Sequence, residues 1–261
     1  MQNPFRILLA ALRLILIIVS LAIFVLPLFL ADKIIGLSTK SAFKVRRMWI
    51  RVAKVILGIT TQVEGQQYEE TALYVCNHRS FADPLIISLY LNAYVIAKAE
   101  VGKLPILSTG AELTGVMYVQ RESKDSRSAV KKKMVETLLE GKNVLVYPEG
   151  TTNGELHLKP YKRGTFIEAA NNGIPVVPVV IEYKNAKDLW SSRGMVRHHF
   201  KQFGKLRTQC RLRFGPFLTS KDGEQLRSES EDWSNQSVKE IHQGWNSLFS
   251  SHSDTVGPTQ A

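Results

Sequence analysis

The stretch ALYVCNHRSFADP, residues 72–84, sets the pattern for the rest of the chain. Its first five residues are apolar and predict a buried β-strand, and a polar loop follows directly. His78 and Asp83 lie in that loop with four residues between them. A strand that ends in a His–Asp pair is a common way to place a general base beside the acid that orients it.

The same stretch also has a purely structural interpretation. Asp is favoured at the N-cap of a helix and Pro in its first turn, so Asp83 could cap a helix that starts at Pro84. Asn77 and His78 would then be ordinary loop residues. No Ser or Cys nucleophile motif accompanies the pair. A catalytic His–Asp pair would therefore have to act on a hydroxyl group that the substrate supplies.

Short apolar runs continue downstream and predict further strands at residues 94–97, 116–120, 144–147, 176–182 and 210–214. Helical patterns lie between them. Val130, Met134 and Leu138 recur at helical spacing and are followed by Gly141, and a second helix is predicted over residues 163–172. Strands that alternate with helices predict an α/β fold with a central mixed sheet flanked by helices.

Four motifs follow one another in this region: NHRSFAD (77–83), GVMYVQR (115–121), YPEGT (147–151) and IPVVPV (174–179). Two shorter stretches, KAE at 98–100 and YKRG at 161–164, lie between them. Over about residues 63–183 this series resembles the glycerolipid acyltransferase family, whose first motif is NHxxxxD. Its best-known bacterial members are lysophosphatidate (1-acyl-sn-glycerol-3-phosphate) acyltransferases.

The resemblance implies a mechanism. His78 would be the general base that activates a lipid hydroxyl, and Asp83 would fix its tautomer and stabilise the imidazolium. The hydroxyl would attack an acyl thioester directly, without an acyl-enzyme. The donor would be acyl-carrier protein or acyl-CoA, and the product from lysophosphatidate would be phosphatidic acid.

The resemblance also implies an acceptor-binding set. It places Glu149, Gly150 and Thr151 near the acceptor. Arg121 is the candidate for binding an anionic headgroup through two parallel hydrogen bonds, and Lys98 and Lys162 could add charge to the same pocket. The alternative for Arg121 is a surface salt bridge with an acidic neighbour, and lysines are usually solvated.

The chain departs from the family at one position. Where the family commonly has Arg after the Thr of the third motif, this chain has Thr152. One phosphate-binding cation is therefore missing. This leaves a second acceptor open, a different lyso-lipid such as a phosphorus-free aminolipid. A catalytically silent membrane-binding homologue is a further alternative.

Composition limits the partners. The formal net charge is +11 at pH 7, which favours anionic partners, and the usual nucleic-acid motifs are absent from the sequence. We therefore expect an anionic membrane surface, a lipid acceptor and an acyl donor, and no nucleic acid. Cys76 and Cys210 lie far apart, which favours a reducing compartment over a disulfide framework.

The remaining histidines show no ligand spacing with carboxylates or cysteines. We expect no metal and no other cofactor, and we expect these residues on the surface: His157, His198, His199, His242 and His252.

The N-terminal region predicts a membrane-associated two-helix element. Residues 14–31 carry no charge and would form a helix about 27 Å long, close to the thickness of a bilayer core. Pro27 could bend it, so that it enters one leaflet, and a cleaved signal peptide is the competing interpretation. Residues 41–57 predict a basic amphipathic helix with an apolar face of Val45, Met48, Trp49, Val52 and Ile56.

Two readings of that second helix stay open: it lies in the headgroup layer of a membrane, or it packs on the catalytic domain. Its cluster of Lys and Arg predicts that the following chain is cytoplasmic, at the inner membrane if the source is bacterial. The predicted organisation is an N-terminal element (1–62), an acyltransferase catalytic domain (63–219) and a polar C-terminal helix and tail (220–261). Within the last segment the helix is predicted over 233–249 and a frayed tail over 250–261.

Overall fold

A computed structural model describes residues 3–103, 105–120, 122–155, 157–190 and 194–253. Its helices are α1 (Pro4–Ile35), α2 (Thr39–Ile56), α3 (Asp83–Tyr90), α4 (Pro105–Leu113), α5 (Lys124–Leu139), α6 (Gly164–Asn171), α7 (Met195–Phe203) and α8 (Gly223–Ser253). Its strands are β1 (Ile59–Glu64), β2 (Leu73–Cys76), β3 (Ala93–Lys98), β4 (Val116–Val119), β5 (Asn143–Val146), β6 (Val176–Tyr183) and β7 (Thr208–Phe214). Short 3₁₀ turns cover Ala99–Lys103 and Ala186–Asp188.

The strands form one seven-stranded sheet in the order β1-β7-β6-β2-β5-β3-β4. Neighbouring strands are parallel except β6 and β7, which are antiparallel. The predicted α/β fold with a mixed sheet is therefore confirmed. Every residue of β2 and of β6 is buried, as expected for central strands that helices cover on both faces.

Helices cover the two faces of the sheet unequally. Tyr74 and Cys76 of β2 point to one face, where α3 and α7 pack and where α1 and α2 lie against them. Leu73 and Val75 point to the other, covered by α5, α6 and α8. We call these the α1 side and the α5 side.

The long helix α1 packs on the rest of the chain along one of its faces, against α2, α4 and α7. It is one continuous helix through Pro27 and is long and apolar enough to cross a membrane by length and composition. Its opposite face is exposed and apolar over most of its length, at Phe5, Leu8, Leu12, Ile15, Val19, Ile23, Leu26, Leu30 and Ile34 among others.

Helix α2 packs on α1, α3 and β1 with a face that differs from the predicted one. Met48 and Val52 are exposed, whereas Arg46 is buried and donates to the carbonyl oxygens of Ala93 (3.1 Å) and Thr114 (2.8 Å). Trp49 is buried and donates from Nε1 to a hydroxyl of α1 at 3.2 Å. The amphipathic pattern assigned every basic residue to the outside. Arg46 is an exception to that assignment, because its guanidinium donates hydrogen bonds to buried backbone carbonyl groups.

Two buried side chains join α1 to α7 and the segment after it. Arg13 donates to the carbonyl oxygens of Phe203 (2.8 Å), Lys205 (2.5 Å) and Leu206 (2.9 Å). The Nε2 atom of His199 lies 2.9 Å from the carbonyl oxygen of Ala10.

The expectation that the remaining histidines lie on the surface is wrong for His198 and His199, which are both buried because α7 is covered on the α1 side. His157 is exposed and His242 is partly buried. The side chain of His252 lies outside the described residues.

The ends of the sheet region differ from the predicted boundaries. Strand β1 pairs with β7 along its whole length, so the sheet begins at Ile59, inside the segment predicted as the N-terminal element. Helix α8 starts at Gly223, ten residues before the predicted start at Trp233, and packs on β6 and α6. The division into three segments stays a prediction. The frayed tail was predicted from Ser250 onward, but α8 continues to Ser253. Residues 254–261 lie outside the described residues.

Candidate active site

The loop that carries His78 leaves the middle of the sheet. β2 ends at Cys76, and its neighbours β5 and β6 run parallel to it. The carboxyl ends of these strands therefore meet at one edge, the usual location of sites in such folds. Residues that follow β2 and β5, among them His78 and Glu149, are brought together there.

The imidazole and the carboxylate are in direct contact. His78 Nδ1 lies 2.8 Å from Asp83 Oδ2. The same oxygen accepts from the backbone N–H groups of Arg79 (2.6 Å) and Ser80 (2.8 Å), and Oδ1 accepts from the Tyr183 hydroxyl at 2.7 Å. A carboxylate that receives these donors orients the proton of the imidazole onto Nδ1. The Nε2 atom is then the basic nitrogen.

The alternative in which Asp83 caps α3 is wrong. Ala82 is the cap residue, and no side chain accepts a hydrogen bond from the first turn. The carboxylate turns back to the preceding loop and is entirely buried. The predicted proximity of His78 and Asp83 is therefore what the structure shows.

The rest of His78 is also fixed. Its ring stacks on Tyr147, with centroids 4.2 Å apart and an angle of 25° between the planes. Its backbone N–H donates to Glu149 Oε1 (2.8 Å), and its carbonyl oxygen accepts from the N–H of Asn153 (2.6 Å). Only 14% of the side chain is exposed, so the accessible edge of the imidazole is small and held in a fixed orientation.

Glu149 holds two loops together. Its second oxygen, Oε2, accepts from the backbone N–H of Lys159 at 3.1 Å, and burial raises the pKa of its carboxyl group. Both oxygens are thus engaged by the main chain. Its predicted contact with an acceptor stays a prediction.

The comparisons with known proteins bear on this region. Residues 59–182, from β1 almost to the end of β6, match the family model described as Acyltransferase.

These residues form an Acyltransferase-family domain.

Relatives that resemble the chain include a lyso-ornithine lipid O-acyltransferase of Pseudomonas aeruginosa, 30% identical over 141 residues, which are 54% of this chain and 54% of that protein. A 1-acyl-sn-glycerol-3-phosphate acyltransferase of Neisseria gonorrhoeae is 27% identical over 132 residues, 51% of this chain and 52% of that protein. The chain spans about half the length of these two relatives.

The fold is also found among solved structures. The 1-acyl-sn-glycerophosphate acyltransferase PlsC of Thermotoga maritima superposes with a TM-score of 0.73 over 90% of this chain and 95% of that one, at 19% identity.

The acyltransferase domain also contains a buried polar group that the sequence did not reveal. The side chain of Asn77 exchanges hydrogen bonds with the main chain of Ile181, at 3.0 and 2.9 Å. Arg79 is fully buried, and its Nε donates to Glu182 Oε1 at 2.5 Å. Glu182 Oε2 lies 3.2 Å from His242 Nε2 of α8. Asn77 therefore fastens the start of the loop to β6, and Arg79, the residue after His78, is held to the same strand through Glu182.

A second polar group supports the same loop from α7. The Ser80 hydroxyl donates to Gln202 Oε1 at 2.7 Å and lies 3.3 Å from His198 Nε2. Burial lowers the pKa of His198 to about 4, so this imidazole is neutral near pH 7. Because His198 lies beside the loop that carries Asp83, it helps to hold that loop in position. No spacing in the sequence indicated this role for His198.

The turn after β5 places further predicted residues of the acyltransferase domain at the same edge. Gly150 has φ +71°, and a Cβ atom there would collide with Lys162 Nζ. Glycine thus fits both the backbone and the approach of the ammonium group. Thr151 is exposed beside it. Lys162 and the turn are brought together, and their role in binding stays a prediction.

The other predicted cations are less informative. Lys98 ends β3 at the same sheet edge, is 40% exposed and pairs with Glu100 (3.1 Å) and Glu122 (3.9 Å). This is the surface ion pair expected of a solvated lysine, and its contact with an acceptor stays a prediction. Arg121 lies outside the described residues. Among the described residues, no cluster of three or more His, Cys, Asp or Glu side chains could hold a metal ion.

Proposed function

We propose that this chain is a lyso-lipid O-acyltransferase that moves a fatty acyl group from a thioester donor to a free lipid hydroxyl at a membrane surface. The observation that carries the proposal is the buried Asp83 carboxylate on Nδ1 of a partly exposed His78. The Acyltransferase-family domain around the pair supports it.

The chemistry follows from the free nitrogen. Nε2 of His78 takes the proton of the acceptor hydroxyl while that oxygen attacks the thioester carbonyl carbon. A C–O bond forms and the C–S bond breaks, and the imidazolium returns the proton to the leaving thiolate as a thiol. Asp83 stabilises the imidazolium in between, and Tyr183 with two backbone N–H groups holds Asp83 in place.

The first candidate acceptor is 1-acyl-sn-glycerol-3-phosphate, which would give phosphatidic acid. The ammonium of Lys162 beside the Gly150 turn supports an anionic headgroup near the pair, and Arg121 is the predicted second cation. The name of the Neisseria gonorrhoeae relative agrees with this acceptor.

The second candidate is a phosphorus-free aminolipid such as lyso-ornithine lipid. Thr152 favours it, because the chain lacks the cation that the family commonly places there. The name of the Pseudomonas aeruginosa relative agrees with it.

The exposed apolar face of α1 supports attachment to the membrane. A contiguous face of this size is rare on soluble monomers and marks contact with lipid or protein. Lys44 and Arg51 are exposed on α2 next to it. Basic residues at this position favour the cytoplasmic leaflet, with the sheet on the cytoplasmic side.

The test is an acylation assay of purified protein in mixed micelles. Lysophosphatidate, lyso-ornithine lipid and lysophosphatidylcholine would each be offered with acyl-CoA and with acyl-carrier-protein thioester, and products identified by mass spectrometry. Transfer to the first lipid supports the first candidate, and transfer to the second alone supports the other. Absence of transfer with every pair would contradict the proposal and favour a catalytically silent homologue.

A further inference from the structure

The first turns of α5 carry a dense group of cations on the exterior. Between residues 124 and 133 there are five basic side chains and one acidic one. We call them the α5 basic surface: Lys124, Arg127, Lys131, Lys132 and Lys133. Four are exposed and Lys131 is partly buried. Nearby carboxylates offset part of this charge, since Lys131 lies 3.4 Å from Glu168 and Lys133 lies 4.0 Å from Glu136.

The α5 basic surface begins at the active-site edge of the sheet. α5 follows the carboxyl end of β4 and packs back over β4 and β5, so its amino-terminal turns lie at the edge where His78 is found. Lys131 reaches Gly164 at the start of α6, close behind Lys162 and the Gly150 turn. The cations are therefore near the mouth of the site without forming part of it.

The position of this surface argues against lipid as its partner. α5 lies on the side of the sheet opposite the exposed apolar face of α1. Its shape argues against a small anion as well. Ligand pockets for small molecules are concave, whereas these side chains project from a helix over about 14 Å. Charge spread over a convex surface is typical of protein partners that are guided by complementary charge.

We propose that the α5 basic surface docks an acidic carrier protein that bears the acyl thioester, so that the acyl group enters from the α5 side. This inference rests on the proposed function, because a carrier protein has a role here only if a thioester is the donor. It goes beyond that function by assigning a docking surface on this chain to the carrier-protein donor. The lipid acceptor would approach from the α1 side.

The experiment reverses three charges. The variant Lys124→Glu/Arg127→Glu/Lys132→Glu is compared with Lys187→Glu/Lys221→Glu/Lys239→Glu, which changes the net charge equally at exposed lysines elsewhere. Full-length proteins in detergent are assayed with acyl-carrier-protein thioester and with acyl-CoA. For the first variant we expect the KM for the carrier-protein donor to rise by about tenfold or more, with the KM for acyl-CoA within about twofold. The control should change neither.

Direct binding separates this inference from the proposed function. Holo carrier protein without an acyl chain should bind the wild type in a salt-dependent manner, and binding should weaken in the first variant alone, whether or not turnover is seen. Thermal unfolding of both variants checks the fold. Equal rises in both KM values, equal effects in the control, loss of liposome binding in the α5 variant, or no binding of carrier protein to the wild type would each overturn the inference.

Discussion

The α1 side and the α5 side of the sheet differ in the surroundings that their outer surfaces suit. On the α1 side, α1 exposes Leu, Ile, Phe and Val along its length. On the α5 side, the helices expose Lys, Arg and Glu, and isolated apolar residues such as Leu139 are scattered. A lone exposed leucine is ordinary in soluble proteins, whereas a continuous apolar face is not. The difference agrees with the proposed attachment of the α1 side to a membrane, and the His78 loop lies at the sheet edge common to both sides.

Removal of His78, the proposed general base at that edge, should have the largest effect. We expect His78→Ala to lower turnover by about 10²–10⁴-fold, while the protein stays folded and liposome binding stays at the wild-type value because neither outer surface changes. His157→Ala, an exposed histidine, is the control. Near wild-type turnover in purified His78→Ala would contradict the proposed role of His78 as general base.

Asp83→Asn should follow, with a loss of about 10²-fold. An amide cannot stabilise the imidazolium, and it leaves the Tyr183 hydroxyl and two backbone N–H groups with a poorer acceptor. Steady-state rates and chemical denaturation would separate the two consequences. Tyr183→Phe removes one donor and leaves the carboxylate, so a milder defect is expected. A defect equal to that of Asp83→Asn would show that the hydrogen bonds to Asp83 matter more for turnover than its negative charge.

A pH effect should appear on the α1 side because α7 buries His198 there. Burial lowers the pKa of His198 to about 4, below the ordinary value of 6.5. The unfolded state therefore takes up the proton first, and this contribution to stability is complete above pH 6.5 and lost as the pH falls toward 4. We expect a loss of about 2 kcal/mol in the free energy of unfolding between pH 7 and 4.5.

His198→Gln supplies the control for that pH effect. Asp188 lies nearby with a pKa raised by burial to about 6 and acts in the opposite direction, so the difference between wild type and variant is the quantity to measure. Parallel stability curves for the two proteins would count against a buried neutral imidazole.

The contrast between the outer surfaces can be tested with matched pairs. Leu8→Ser/Leu12→Ser on α1 should lower partition into anionic liposomes by roughly tenfold, because each exposed leucine contributes about 1 kcal/mol or less on burial in lipid. Leu139→Ser/Ile167→Ser on the α5 side, also at exposed positions, should leave partition unchanged. High salt in the flotation assay should weaken the basic contacts and leave apolar insertion. Equal losses of liposome partition in both double variants would show that the two outer surfaces do not differ in their affinity for lipid.

Thr152→Arg should give the smallest change. If lysophosphatidate is the natural acceptor, the added cation should raise activity on it relative to an aminolipid by about threefold to tenfold. Thr152→Gln controls for size. If the aminolipid is the natural acceptor, the Arg variant should lose activity toward it and the Gln variant should lose less.

The parts of the fold that the sequence predicted are those with one dominant signal. β2, β5 and β6 are buried on both faces and stand out as apolar runs. β1 was missed because this edge strand, ITTQVE, is mostly exposed and resembles a loop. Arg46 misled the prediction for α2, because a side chain counted as polar lies inside with its donors on carbonyl groups.

The candidate site divides in the same way. His78 and Asp83 are five positions apart in one loop, so a local pattern was enough. Tyr183 and Glu182, which complete the hydrogen bonds of that loop, are about a hundred residues away. Pairing of β2 with β6 brings them close, and that depends on the order of strands in the sheet.

Arg13 has a mechanical consequence. A membrane helix joined to its domain by a flexible linker can tilt without moving that domain. Here the guanidinium of Arg13 donates hydrogen bonds to three carbonyl oxygens at the end of α7 and just after it. In a bilayer, any change in the tilt or depth of α1 would therefore turn the whole body with it, and the mouth beside His78 would rise or sink. A change in bilayer thickness would then change the height of the His78 site relative to the membrane surface. A variant without α1 would leave those three carbonyl groups without the Arg13 donor, and it would also lose the exposed apolar face.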